Sequence, residues 1–462
     1  MNPCEHTNQE SSPTFHESSY THHPLHTYLT HLISLRAVNS QPKLRPCKNF
    51  TACGVHTGLQ DCSNPSCKFA HIVKCHKSYA GSTKIEALSN RGGYNNQQLQ
   101  APVAGLATWM QTPTSAPQIF SGSHDGFWRL WDSSNNFSKS FENACGIKVT
   151  HLLVDSVSQK LVVAFESAFN GTSGLIVNPK DTAQTGAGAV SKEEKANLHT
   201  VGLIQSWDLN QPQAPPTNYH LSQFAPYASH KPITCLLTIP DAANPTHPIV
   251  IASGEEPAIR VWKMNPTATP QPAYAPVSTM FGHVRPVTTM LTLDGLLWSG
   301  SIDGNLRIWD PTAGECKHVV LAGKSATGGG HTGPITDSIV VEAEGSKFVV
   351  TSSLDATVRA WDMSANLMKD EAMGQGVVCL NSIDDTGGNK LLLCGLEKGN
   401  VMIRHFPSFM NLMVLSSQYS CGHDGGAVRC IEIGPNNCFF TGGEDGKVMV
   451  WQIVGDAAKM MT

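Results

Sequence analysis

Cys47, Cys62, Cys67 and His71 are spaced C-x14-C-x4-C-x3-H. Three thiolates and one imidazole complete a tetrahedral shell around Zn²⁺, and a shell with no open position is structural rather than hydrolytic. The surrounding segment has only two phenylalanines, too few for a core. The metal would have to supply its folding energy, on the order of 10–16 kcal/mol for small zinc fingers. Cys53 also lies upstream of Cys62 and offers an alternative first ligand. Cys75 and His76 follow the cluster and read as bystanders.

The same stretch is basic. Residues 41–80 carry Lys43, Arg45, Lys48, Lys68, Lys74 and Lys77 against Asp61 alone, in a chain whose net charge is −4. Cations track phosphate, and aromatic faces such as those of Phe50 and Phe69 stack on unpaired bases at about 1–3 kcal/mol each. The competing reading makes both rings the small core of the module and the cations a solvated face. The pattern resembles the CCCH zinc finger, most closely in Cys67-Lys68-Phe69-Ala70-His71. Cys47-Lys48-Asn49-Phe50 places an aromatic three residues after the first ligand, as that family does, which favours Cys47 over Cys53. The resemblance implies that Phe50 and Phe69 are the RNA-stacking positions. Lys48, Lys68, Arg45 and Lys74 are then the phosphate contacts.

A second pattern fills the remainder. Strands ending in Trp-Asp or a variant recur at Trp131, Trp207, Trp262, Trp309, Trp361 and Trp451, and a further unit ends in Arg404 at the tryptophan place. These define units 1 to 7 in chain order, with Arg404 in unit 6. Most spacings lie near the period of about 40–45 residues expected of four-stranded propeller blades. Before the anchors stand Ser299-Gly300-Ser301-Ile302-Asp303-Gly304, Thr351-Ser352-Ser353-Leu354-Asp355 and Thr441-Gly442-Gly443-Glu444-Asp445-Gly446. Each reads as a strand, an Asp-Gly-type turn and a second strand. His283, His331 and His423 open three units, and Ser229-His230 opens another. A buried His–Ser–Asp–Trp set would tie each blade together, because buried polar groups need partners.

These repeats resemble the WD40 family, closely in units 4, 5 and 7. They are degraded in units 2, 3 and 6, where Glu255-Glu256-Pro257 replaces the Asp turn of unit 3 and Lys398 and Arg404 depart in unit 6. The resemblance implies an all-β, seven-bladed WD40 β-propeller. One finger followed by such an array resembles the plant zinc finger–WD40 family. The expected organisation is a disordered, His-rich tail over 1–40, a finger over 41–77 and a propeller over 83–455, with a flexible loop inserted at 170–199.

Only 11 residues follow Trp451, and 456–462 is a poor strand. An outer strand for the last blade must come from elsewhere, or an edge stays open. Thr83-Lys84-Ile85-Glu86-Ala87-Leu88 alternates polar with apolar, so it is expected to complete the seventh blade.

Other classes fall away. Gly323-Lys324-Ser325 lacks the upstream glycine of a phosphate loop, since His318 holds that place. The Gly-Ser-x-Asp-Gly turns lack a nucleophile elbow. No apolar run is long enough to cross a membrane, and the first 40 residues show no signal-peptide pattern. The scattered remaining cysteines suit a reducing compartment, nucleus or cytoplasm. The expected protein is no enzyme and has no small-molecule substrate. It binds zinc and single-stranded RNA through the finger and protein partners through the propeller. The alternative is a protein-interaction scaffold, for instance a ubiquitin-ligase substrate receptor. The Trp-Asp-x-Arg signature of such receptors is missing, because Ser134, Asn210, Thr312 and Ser364 occupy the arginine place.

Overall fold

The computed structural model describes residues 73–80 and 101–457, apart from 113, 135–136, 172–174, 178–197, 223–224, 265–273, 324–328 and 418–421. Of 74–80 only the backbone is described. Strands and turns make up the described residues, and no α-helix occurs among them. Among the described residues the all-β expectation is met.

The strands pair mostly in chain order. After β1 (Val73–Ala80) come β2 (Val103–Trp109), β3 (Gln118–Ser123), β4 (Phe127–Asp132) and β5 (Ser138–Ala144), which form a four-stranded antiparallel sheet. A nine-stranded sheet follows. It contains β6 (Lys148–Asp155), β7 (Lys160–Asn170), β8 (Leu175–Val177), β9 (Leu198–Asp208), β10 (Thr217–Tyr219), β11 (Ile233–Ile239), β12 (Ile249–Gly254), β13 (Ile259–Met264) and β14 (Tyr274–Met280). It consists of two antiparallel meanders, β6-β7-β9-β10 and β11 to β14, joined where Tyr219 and Tyr274 pair in parallel. Units 4, 5 and 6 are four-stranded sheets. They comprise β15 (Val287–Leu293), β16 (Leu296–Ser301), β17 (Leu306–Asp310) and β18 (Glu315–Val320); β19 (Ile335–Ala343), β20 (Ser346–Ser353), β21 (Thr357–Trp361) and β22 (Leu367–Ala372); and β23 (Val377–Asp384), β24 (Lys390–Leu396), β25 (Val401–His405) and β26 (Asn411–Leu415). The last sheet has the order β1-β29-β28-β27, from β27 (Val428–Ile433), β28 (Cys438–Gly443) and β29 (Lys447–Ile453).

Each sheet buries both faces, which is why its middle strands read as continuous apolar runs, such as Leu391-Leu392-Leu393-Cys394 at 0% exposure. The first strand of each unit lies innermost and packs on the first strands of its neighbours, and β2 packs on both β6 and β27. Glycines allow the close approach. A Cβ on Gly442 of β28 would lie 2.8 Å from Cγ1 of Val103, the first residue of β2. Hydroxyls fasten the same seam. Thr234, Thr288 and Thr336 each donate to the first carbonyl of the next innermost strand, at Val287, Ile335 and Val377, at 2.6 Å.

The closing strand differs from expectation. The outer place beside β29 belongs to β1, not to 83–88, with Val73 opposite Ile453 and Ala80 opposite Lys447. The array thus begins at Val73, ten residues earlier than 83, and residues 73–77, counted with the finger, lie in the last sheet. Val73 is buried in the core that also holds Trp451 and Ile453. A bulge shows that β1 plays the usual outer-strand part. Cys75 faces Trp451 while Lys77 faces Val450, so His76 is the extra residue. The outer strands of units 1, 3, 4, 5 and 6 bulge at the same place beside their own anchors. Residues 83–88 lie outside the described residues. The 170–199 insertion, expected to be a loop, is partly strand: β7 and β9 pair out to Asn170 and Leu198, and β8 pairs with Ala168–Asn170.

Candidate functional site

Cys47, Cys53, Cys62, Cys67, His71, Arg45, Lys48, Phe50, Lys68 and Phe69 all lie outside the described residues, as does the 1–40 tail. Lys74 falls in β1, its backbone opposite Gln452. Among the described residues no group of three or more His, Cys, Asp or Glu could hold a metal ion. The described geometry therefore bears on the repeat array and on the strand two residues past His71.

In units 4, 5 and 7 the expected buried network is present. The Trp309 indole Nε1–H donates to Ser299 Oγ at 2.8 Å, and that hydroxyl lies 2.8 Å from His283 Nε2. His283 Nδ1 is 3.0 Å from Asp303 Oδ2, which also accepts the Val284 N–H. Because the carboxylate can only accept, the neutral imidazole carries its proton on Nδ1 and accepts the serine proton at Nε2. Unit 5 repeats this with Trp361, Thr351, His331 and Asp355, and unit 7 with Trp451, Thr441, His423 and Asp445. The connectivity is that of a hydrolytic triad, but Ser299, Thr351 and Thr441 are 0% exposed and their oxygens already accept from tryptophan. A nucleophile that no substrate can reach is a brace, so the chemistry here is cohesion.

The carboxylates of these braces are held in the charged form. Burial pushes Asp303 up, but His283 and the backbone donors at Asn305 and Val284 outweigh it and bring the group to about 2. Asp355 and Asp445 move down for the same reasons.

The other units show what happens without the hydroxyl. The strand position that carries Ser299, Thr351 or Thr441 carries Val163 in unit 2, Ala252 in unit 3 and Cys394 in unit 6. The Trp207 Nε1–H finds no acceptor among the described residues. Trp262 turns to the His220 carbonyl at 3.2 Å. In unit 6 Arg404 reaches Glu371 of unit 5 at 2.7 Å and the Phe409 carbonyl at 2.8 Å. Ser229, not the neighbouring His230, takes the histidine place of unit 3 and meets Glu256. His230 contacts Tyr227 instead. Unit 1 keeps the Trp131–Ser121 bond and adds Arg129, clamped between Asp125 and Glu142.

One titratable group sits on the seam between the last and first units. Glu432 accepts the Thr108 N–H and hydroxyl at 3.2 and 3.1 Å, and burial pushes it up to about 7 against those donors. Burial likewise pushes the Cys235, Cys394 and Cys430 thiols up to about 12, so they behave as small apolar groups rather than nucleophiles.

Comparison with known proteins agrees with this geometry. The family profile "WD40: WD domain, G-beta repeat" matches residues 274–310 and 415–452, which enclose the networks of units 4 and 7. The chain therefore carries WD40 repeats, and its described residues form an all-β array of repeated four-stranded sheets, two units being fused in one nine-stranded sheet. It is similar to Zinc finger CCCH domain-containing protein 17 of Oryza sativa subsp. japonica, 24% identical over 46% of this chain and 44% of that protein. It is also similar to Protein ROOT INITIATION DEFECTIVE 3 of Arabidopsis thaliana, 24% identical over 61% of each chain. A third relative is Target of rapamycin complex subunit wat1 of Schizosaccharomyces pombe, 24% identical over 44% of this chain and 60% of that protein. The chain thus spans between 44% and 61% of the length of these curated relatives. No helix among the described residues is long and apolar enough to cross a membrane.

Proposed function

We propose that this chain is an adaptor with two working parts: a CCCH finger that binds Zn²⁺ and single-stranded RNA, and a seven-bladed WD40 propeller that recruits proteins. Cys47, Cys62, Cys67 and His71 would hold the metal, with Cys53 the alternative first ligand. Three soft thiolates and an imidazole suit zinc. Phe50 and Phe69 would stack on bases, and Arg45, Lys48, Lys68 and Lys74 would meet phosphates. The observation that carries the reading is the pairing of β1 with β29. The last strand of the array is supplied by residues that begin two positions after His71, so finger and propeller would be joined without a linker. The name of the rice relative supports the finger, and the name of the yeast complex subunit supports protein assembly.

The test is metal content of the full chain. One zinc per chain is expected, falling to near zero in Cys67→Ser. Loss in Cys53→Ser with retention in Cys47→Ser would reassign the first ligand. A metal-free wild-type chain would remove the finger altogether.

A further inference from the structure

The repeat arginine two residues before the anchor tryptophan occurs in units 1, 3, 4 and 5, as Arg129, Arg260, Arg307 and Arg359. Two devices neutralise it. A carboxylate directly opposite on the outer strand does so in unit 1, where Glu142 faces Arg129, and in unit 5, where Asp370 faces Arg359. A carboxylate four residues earlier in the turn does so in unit 1 through Asp125 and in unit 3 through Glu256.

Unit 4 has neither. The residue opposite Arg307 is Val319. The turn carboxylate, Asp303, is consumed by His283, the Val284 N–H and the Asn305 N–H. Among the described residues Arg307 Nε has no hydrogen-bond acceptor; Nη1 lies 3.7 Å from the Cys316 sulfur, and the guanidinium sits 5.8 Å from the centre of the Trp309 ring, a contact that brings no counter-charge. The nearby outer-strand acids, Asp310 and Glu315, are both taken by Lys317.

This guanidinium lies against the loop that presents the most exposed large apolar residues among those described. A Cβ on Gly282 would come within 2.8 Å of Arg307 Nη1 and of the Trp309 ring. On either side of the Gly282-His283 pair stand Phe281, 75% exposed, and Val284, 78% exposed. The loop itself is held: His283 is buried and tied to Ser299 and Asp303, and the Val284 backbone is tied to Asp303. Two exposed apolar side chains on a fixed loop, beside an arginine that has no acidic partner among the described residues, combine an apolar patch of the kind that marks interaction sites with a residue type enriched at interface hot spots.

We propose that the Phe281–Val284 loop and Arg307 form a docking surface for a protein segment in which apolar side chains flank a carboxylate. The partner's acid would supply the counter-charge that units 1, 3 and 5 find within the chain. The proposal rests on the protein-recruiting half of the adaptor reading and gives it a place and a chemistry.

The test is fluorescence anisotropy of the full-length protein with three labelled peptides of one apolar pattern, Leu and Phe interleaved with Glu, with Gln or with Lys. The Glu peptide should bind at least about tenfold more tightly than the Gln peptide, the order of one charge-assisted contact, with the Lys peptide weakest. Arg307→Met should bring the Glu peptide down to the Gln level. So should Val319→Glu, which installs the opposing acid that Arg129 and Arg359 already have, and which should leave the melting temperature unchanged or higher. Phe281→Ser with Val284→Ser should weaken all three peptides. Equal binding of the Glu and Gln peptides overturns the proposal, as does a Glu preference that survives Arg307→Met and Val319→Glu, or failure of the Glu peptide to bind at all. A Glu preference indifferent to every variant would remove this surface while leaving protein recruitment elsewhere on the array intact.

Discussion

Units 4, 5 and 7 and units 2, 3 and 6 are built on the same strand order, yet they hold their anchors in different ways. In the first group one hydroxyl on the second strand serves two buried partners, an indole N–H and an imidazole. In the second group that position is Val163, Ala252 or Cys394, and each anchor finds its own remedy or none. All three irregular units lack that hydroxyl, and units 3 and 6 lack other members of the network as well: Ser229 stands at the histidine place of unit 3 and Arg404 at the tryptophan place of unit 6. The sheets survive loss of the hydroxyl because burial of the apolar faces, at roughly 25 cal/mol per Å² of apolar surface, outweighs a single hydrogen bond of about 0.5–1.5 kcal/mol. The irregular units are also where the chain departs most from a simple array. Units 2 and 3 fuse through Tyr219 and Tyr274, and unit 6 ties itself to unit 5 through Arg404 and Glu371.

The largest expected effect comes from removing a regular unit's outer strand. Deletion of 73–80 should lower the melting temperature far more than deletion of 83–88, because it exposes the full edge of β29 and takes Val73 out of its core. Thermal unfolding followed by circular dichroism reads the ranking, and the reverse order would reinstate 83–88 as the closing segment.

Next in size is the shared hydroxyl. Thr351→Val should cost about 2–4 kcal/mol in urea unfolding, since it strands both the Trp361 N–H and a nitrogen of His331 in the core. The converse change, Val163→Thr, offers Trp207 the acceptor it lacks and should be neutral or stabilising by up to about 1 kcal/mol. A large loss from Val163→Thr would mean that the irregular units owe their form to something other than the missing hydroxyl.

The smallest effect is a pH dependence at the seam. A carboxyl in the unfolded chain titrates near 4.3, whereas Glu432 in the fold titrates at about 7. The folded state favours the protonated form, so this group's contribution to stability falls as pH rises from about 4 to about 7 and is level beyond. Asp303 has the opposite sign, its contribution being present above about 4 and lost as pH falls through about 2. Glu432→Gln should therefore reduce the slope between about pH 4 and 7, leaving the share of Asp337, which burial pushes up to about 6, and should leave the acid limb unchanged. An unchanged slope in that variant would place the titration elsewhere.

Much of the regular group was legible in the sequence. A Ser or Thr four residues before the turn Asp, with a preceding His and a following Trp, names every member of the network, because buried polar groups need partners. The irregular group was legible as departure but not as remedy. That Trp262 reaches the His220 carbonyl depends on where the preceding chain happens to pass. The closing strand was misplaced for a definite reason. Lys84-Ile85-Glu86-Ala87 alternates polar with apolar, whereas the bulge at His76 shifts the phase of Val73–Ala80 by one residue and hides its period of two. The same bulge recurs beside the anchors of units 1, 3, 4, 5 and 6. The finger is legible in the sequence alone, since its ligands lie outside the described residues.

The central claim is that a finger fused to the closing strand binds single-stranded RNA beside a protein-recruiting array. Ultraviolet crosslinking in cells, on the full chain, tests it directly. The account predicts RNA adducts on the wild-type protein, and their loss both in Phe50→Ala with Phe69→Ala, at undiminished zinc content and melting temperature, and in Cys67→Ser. Adducts of equal yield in all three proteins, or none on the wild type, would contradict it and leave a scaffold that docks proteins alone.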